Sequence, residues 1–364
     1  MPMNALVVDR IAEARVVQRA LPANPGPLDA IIRTTVATIT PADVAIVRGD
    51  HGSRTGRIIG HAACGIVEKV GSEVKAFAPG DRVVVNSLTA CYTCSNCLRG
   101  MPSQCSRILG GWKFGDLKDG CLAEYFHVNY ADANLCHIPF GITDDCAVFS
   151  TEIMPLGFLS VENAHIPLGG SVIVLGLNSS GLMAVVAARL LGAAQVLAVD
   201  RSALRRELAR EMGADISIDP DVTDPVRKAL QLTRQNGMDA AIVCADDPAL
   251  LAWGVNATGP GGAISCTGTF RSLAAGMATL PASALGERVF HSASLTGGNE
   301  RIRRMLRLIE NARVNPRRLT THCFTFENVE QAMALMMQAS EDVVHLIVTF
   351  PNKSKDQRPQ GGQS

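Results

Sequence analysis

The chain is 364 residues long, 47% hydrophobic and 19% charged, with 34 basic and 34 acidic side chains that cancel to zero net charge. This composition excludes a disordered chain, and the charge balance gives no reason to expect nucleic acid or a membrane as partner. The length predicts two domains. No apolar run approaches the ~18 residues of a membrane span, and the N-terminus, MPMNALVVDRIAEARVV, is not expected to be a signal peptide because acidic residues interrupt it early.

The first ~150 residues contain short β-like runs with Gly and Pro punctuation: ALVVD, AIIRTTVAT, GIVEKV, DRVVVN and AEYFHV. They predict a small, irregular, β-rich domain. Within it, Cys91, Cys94, Cys97 and Cys105 form C-x2-C-x2-C-x7-C. Three thiols two residues apart wrap a tetrahedral ion, and the fourth closes it, leaving no position for substrate. A structural Zn2+ is therefore expected. There are 11 cysteines in all; an odd number, unevenly spaced, argues against a secreted disulfide framework and for a reducing, cytoplasmic compartment.

From about residue 170 strands and helices alternate. SVIVLGL reads as a strand, SGLMAVVAARLLGA as a largely buried helix, QVLAVD as a strand, and ALRRELAREMGA as a helix capped by Ser202. DISID, DPVRKALQLTRQN, AAIVCAD, PALLAWGVNAT and GAISCTG continue the alternation, which means a parallel sheet with crossover helices. Two amphipathic helices, ERIRRMLRLIENARV and NVEQAMALMMQAS, and a strand, VVHLIVTF, follow; the tail PNKSKDQRPQGGQS reads as disordered.

The strand SVIVLGL enters Gly176-Leu177-Asn178-Ser179-Ser180-Gly181, an imperfect G-x-G-x-x-G with Asn178 at the middle glycine. A tight strand-to-helix turn gathers free N–H groups and the helix dipole where a pyrophosphate can sit. Asn is a mild replacement because it tolerates a left-handed backbone. Asp200 ends the second strand, where a carboxylate accepts the ribose hydroxyls and repels a 2′-phosphate, so NAD is favoured over NADP. Arg201, Arg205 and Arg206 work the other way, as attractors of a 2′-phosphate. Gly176, Asn178, Ser179, Ser180, Gly181, Asp200, Arg201 and Gly268, the last in GAISCTG, make up the expected cofactor site.

The run GHAACGIVEKVGSEVKAFAPGDRVVV, the four-cysteine lobe and the Rossmann-type half together resemble the zinc-containing medium-chain alcohol dehydrogenase family over about residues 3–350. The stretch GGWKFGDLKDGCLAEYFHVNYADANLCHIP is most similar to bacterial secondary-alcohol dehydrogenases. The resemblance implies an α/β chain: a GroES-like β-rich catalytic domain built from both chain ends and a Rossmann-type doubly wound parallel-sheet cofactor domain inserted between them. The expected boundaries are 1–154 (zinc lobe 90–106), 155–295, 296–350 and a tail from 351–364. A small-molecule substrate and a homo-oligomer, dimer or tetramer, are also expected.

Family members that oxidise alcohols hold a catalytic zinc through an early Cys, the His of GHE and a later Cys, Asp or Glu, with a hydroxyl residue relaying the proton. Carried over, Thr40 stands in place of the Cys, Ala42 in place of the relay residue and Ala62 in place of the Glu, while Asp43, His61 and Glu152 keep the family pattern. A Thr hydroxyl is a poor zinc ligand at neutral pH. Cys64 is not expected to replace it, since its odd offset from His61 on a strand points it to the other face. The expected catalytic residues are His61, Glu152 and Thr40, without a tightly held catalytic zinc. Three functions compete: zinc-free reduction of an activated C=C, C=N or C=O; a zinc alcohol or polyol dehydrogenase with atypical ligands; and an NAD(H)-binding protein without turnover. Trp112 and Phe114 are read as packing or interface residues rather than as pocket walls.

Overall fold

A computed structural model describes residues 2–52, 54–267, 276–278, 280, 286–292, 297–338, 340 and 343–351. Strands β1 (Pro2–Arg10) and β2 (Glu13–Ala20) form an antiparallel ribbon. Next to it β3 (Ala30–Thr38), β4 (Ala63–Val70), β5 (Arg82–Val85), β6 (Tyr125–Val128) and β7 (Leu135–His137) build a mostly antiparallel sheet. The last strands of the chain, β14 (Thr320–Thr325) and β15 (His345–Thr349), join this same sheet, in the order β14-β15-β3-β4-β5-β7 with β6 beside β3. The central strand β3, AIIRTTVAT, is buried along most of its length, as suits a β-branched run covered on both faces.

A six-stranded parallel sheet forms the second layer system, in the order β10-β9-β8-β11-β12-β13. Its strands are β8 (Ser171–Leu175), β9 (Gln195–Val199), β10 (Ile216–Ile218), β11 (Met238–Val243), β12 (Thr258–Cys266) and β13 (Val289–Ser292). Alternate residues of β8 enter different cores: Val172 and Val174 pack with Met183, Val185 and Phe158, while Ile173 and Leu175 pack with Leu251 and Val255. Two covered faces explain the unbroken apolar run. The strand order reverses between β8 and β11, and that is the crevice where ligands of such sheets bind.

Two helices near that crevice lie outside the sequence expectations. Helix α1 (Pro41–Arg48) begins on Pro41 and ends at Gly49, whose φ of 79° lets the chain turn away. The helix Ile153–Asn163 contains Pro155 and Gly157, which disguise it in the sequence. Pro155 falls in the first turn, where a missing N–H costs nothing. Gly157 lies against the helix Ser179–Leu190, since a Cβ there would meet the Ser180 carbonyl at 2.6 Å. Among the described residues no helix is long and apolar enough to cross a membrane. The sequence expectation for the tail concerns residues outside those described, apart from Pro351.

Candidate active site

Three segments far apart in sequence meet at His61. Its Nδ1 lies 3.0 Å from Asp43 Oδ1, and its Nε2 lies 3.0 Å from Glu152 Oε2. Asp43 comes from the first turn of α1, His61 from the loop entering β4, and Glu152 from the residue before the helix at 153. Burial opposes a charged His61, but the two carboxylates outweigh it and push its pKa well above the ordinary histidine value. Both ring nitrogens thus have a carboxylate oxygen within hydrogen-bond distance.

Asp43 also accepts a hydrogen bond from the Thr40 amide at 2.8 Å, which fixes the start of α1. In the sequence Asp43 is a family feature without a role at the site. The T-x-x-D pattern of residues 40–43 is the signal that could have found it, since it marks a capping box and hence a helix start.

Two cavities open onto this cluster. One, of about 400 Å³, is lined by Ile46, His61, Leu88, Trp112, Phe114 and Glu152. Trp112 and Phe114 thus do form pocket walls, contrary to expectation, although Phe114 is also packed, 6.0 Å from the Phe126 ring. The other, of about 410 Å³, runs between the two sheets' domains and is lined by Thr40, Glu152, Asn178, Ser180, Cys244 and Thr267. Ala42, His51 and Glu152 belong to both.

At the far side of the second cavity lies the glycine turn. Gly176 has a φ of 85°, and a Cβ on Gly181 would meet the Gly176 carbonyl at 2.0 Å, so both glycines are needed. Asn178 departs from the expectation of a left-handed backbone. Its φ is −63°, and it instead caps the helix 179–190, with Oδ1 accepting from the Gly181 amide at 3.0 Å. Ser180 donates to the same oxygen at 2.8 Å. Ser179 points away from the turn and donates to the Val344 carbonyl at 2.7 Å, tying the helix to β15's approach.

Asp200 lies beside this turn, accepting from the Leu177 amide at 2.7 Å and the Ser202 amide at 2.8 Å. Of the three arginines, Arg201 pairs with Asp221, Arg206 with Asp219, and Arg205 donates to the Val343 carbonyl while standing 3.8 Å from Asp200. Gly268 lies outside the described residues.

The four cysteines close on one point. Among the described residues they are the one group of three or more metal-binding side chains, with all four sulfurs within 4.8 Å of one another. Separations of 3.5 Å (Cys94–Cys97) and 3.9 Å (Cys94–Cys105 and Cys91–Cys97) match the edges of a tetrahedron with Zn–S bonds of about 2.3 Å. Ser106 and two backbone amides lower the Cys94 pKa to about 5, whereas burial raises that of Cys97 to about 12. A divalent cation resolves this conflict by stabilising every thiolate at once. The cluster fits a structural Zn2+.

The second set does not match in the same way. Thr40, His61 and Glu152 offer one neutral hydroxyl, one imidazole and one carboxylate, whereas catalytic zinc sites use three good N, S or carboxylate donors. Cys64 adds nothing: it is buried in the core with Val36 and Val84, and its thiol points to the Asp144 carbonyl.

Residues 26–139 match the family described as "Alcohol dehydrogenase GroES-like domain", and residues 181–311 match "Zinc-binding dehydrogenase". The "NADP-dependent isopropanol dehydrogenase" of Thermoanaerobacter brockii is 36% identical over 332 residues, covering 89% of this chain and 93% of that protein. This chain belongs to the zinc-binding alcohol dehydrogenase family. An "Alcohol dehydrogenase" of Cupriavidus necator is 34% identical over 341 residues, covering 89% of this chain and 92% of that one. Among solved structures, "Alcohol dehydrogenase TADH from Thermus sp. ATN1" superposes with a TM-score of 0.85 at 28% identity, covering 96% of this chain and 100% of that one. The expected GroES-like and Rossmann-type architecture is thereby borne out, and so is an NAD(P)-dependent oxidoreductase of the alcohol dehydrogenase family.

Proposed function

We propose that this family member transfers hydride without a catalytic zinc and reduces an activated double bond, an enal, enone or iminium, with NADH. The observation that supports this most is the donor set: the first family ligand position is Thr40, the relay position is Ala42 and the residue after His61 is Ala62, which leaves His61 and Glu152 as the good donors. A simple ketone needs a Lewis acid to stabilise the alkoxide as it forms. A conjugated acceptor needs less, because charge is delocalised or already positive.

When bound, NADH would supply two electrons and one hydrogen as hydride, to the β-carbon of an enal or enone or to the carbon of an iminium, which needs no further proton. For the enal or enone the second hydrogen is a proton. It comes from the His61–Glu152 pair, which lines the substrate cavity, and goes to the α-carbon of the resulting enolate. Asp43, buried behind the ring, holds it in orientation and raises its pKa. The apolar walls Ile46, Leu88, Trp112 and Phe114 suit a small, mostly hydrocarbon acceptor. Asp200 favours NADH. The same reading takes the protein as a cytoplasmic homo-oligomer, in keeping with cysteines that are all unbridged.

Metal content and turnover test this together. Purified protein should carry about one zinc per chain and reduce members of an enone and imine panel with NADH. Oxidation of 2-butanol should be at least ~10³-fold slower than in a zinc-dependent relative. Two zinc ions per chain, with 2-butanol oxidation removed by chelator and restored by Zn2+, would establish the zinc dehydrogenase instead. Tight NADH binding with no acceptor reduced would establish a non-catalytic binder.

A further inference from the structure

Thr40 is 1% exposed and its backbone is fully committed. Its amide donates to Asp43 and its carbonyl accepts from Val44, as a helix-capping residue requires. Its hydroxyl is different. Its Oγ1 stands at the acceptor position of the capping box, toward the Asp43 amide, and its O–H has no acceptor. Neighbouring buried hydroxyls are all satisfied: Thr38 donates to the Leu346 carbonyl, Thr151 to that of Val148 and Ser179 to that of Val344. Buried polar atoms without partners are rare, and one facing a cavity is a place for a ligand atom.

The cavity it faces is the interdomain one that also holds Glu152. On that wall His51 and Asp246 are exposed, and the other described polar side chains are already committed. Asn178 donates to the Cys244 carbonyl, Ser180 to Asn178, and Thr267 to the Val243 carbonyl. Both His61 ring nitrogens lie 3.0 Å from carboxylate oxygens, and the residue after Pro41 is an alanine. Thr40 is thus the buried donor left over where reactants meet.

We infer that the Thr40 hydroxyl donates a hydrogen bond to the carbonyl oxygen of the acceptor and so takes over, in weaker form, the polarising task of the missing metal. This rests on the zinc-free reading above and narrows it to acceptors that present a carbonyl oxygen conjugated with the reduced bond. A carbonyl oxygen has lone pairs and no proton, so it accepts what Thr40 can give. The bond strengthens as negative charge moves onto that oxygen, which makes it worth more in the transition state than in the ground state. No other atom changes hands in this step: hydride reaches the β-carbon and the proton still comes from His61–Glu152.

The test uses a carbonyl ligand that cannot be reduced. Cyclohexylformamide is titrated into the protein saturated with NADH, for the wild type and for Thr40→Ser, Thr40→Val and Thr40→Ala. Affinity and the isotope-edited infrared stretch of the bound carbonyl are recorded. The wild type and Thr40→Ser should bind it with a lowered stretching frequency. Thr40→Val should bind about tenfold more weakly without that lowering, and Thr40→Ala should agree with it should the valine variant not fold. NADH affinity and Tm should match across the folded variants, and enone kcat/KM should fall by roughly 10² in the variants lacking the hydroxyl. An unchanged carbonyl frequency in Thr40→Val, or no formamide binding by the wild type at millimolar concentration, overturns the assignment. Enone turnover that ignores the valine substitution overturns it too, while leaving the zinc-free reading intact. A formamide signature that depends on Thr40 in a protein reducing no acceptor supports the hydroxyl's role and refutes the reductase reading.

Discussion

The Asp200 carboxylate accepts from the Leu177 and Ser202 amides, so it is held at the mouth of the glycine turn, with Arg205 3.8 Å away. Each oxygen keeps a lone pair for a ribose hydroxyl, and the charge opposes a 2′-phosphate. Calorimetry should therefore show NADH bound more tightly than NADPH. Asp200→Asn should narrow that gap by about tenfold while retaining most of the turn, because it removes the charge and keeps the shape. A wild-type preference for NADPH, as the name of the T. brockii relative would suggest for that enzyme, would contradict this role of Asp200. His61, Glu152 and Thr40 were legible as positions through the family resemblance. The partnership with Asp43 was not, because it depends on a helix start and a loop 18 residues apart being brought together.

Among the elements, the cysteine lobe was the most readable, since ligand spacing is itself local geometry. It has little apolar material of its own: Cys91, Cys97 and Cys105 are buried there alongside Ala90 and Pro102. Metal binding is then the lobe's folding energy. Cys94→Ser should lower zinc content from about one per chain toward zero. It should also make the segment between Cys91 and Cys105 the first site of proteolysis. Full zinc retention by the variant would show that the sulfurs do not act as a set. Helix α1 and the helix at 153 were hidden for a shared reason. Both are short and carry Pro or Gly in the first turns, and their helical pattern is set by what they pack against rather than by periodicity. Asn178 escaped the sequence for a similar reason: its cap on Gly181 depends on the helix beginning at Ser179.

For the whole molecule, His61 is a cross-link between α1, the β4 loop and the chain entering the cofactor half. Its folded-state pKa is raised, well above the unfolded value of 6.5. The stabilisation is therefore fully present below about pH 6.5 and is lost as pH rises through the folded-state pKa. The Tm difference between the wild type and His61→Asn should be largest near pH 6.5 and shrink toward alkaline pH. A constant difference over that range would mean that His61 is neutral in the native state. The burial of Phe149 against the His345 ring, 4.3 Å apart, and the Ser179–Val344 hydrogen bond show the returning chain end locking the same two halves together.

The alternation of strands and helices, the zinc-lobe spacing and the glycine turn with Asp200 could be read without coordinates, because each is a local pattern whose period or spacing carries its own physics. Tertiary structure alone decided three matters. It set β15 antiparallel to β3 with β14 on its outer side, the register by which the chain's end joins the first sheet as the resemblance implied. It placed Trp112 and Phe114 on the cavity wall. It also set the His61 imidazole between Asp43 and Glu152 while leaving the Thr40 O–H without an acceptor. These are contacts between residues tens to hundreds of positions apart. No local propensity encodes them; burial and hydrogen-bond satisfaction across the assembled domain select them.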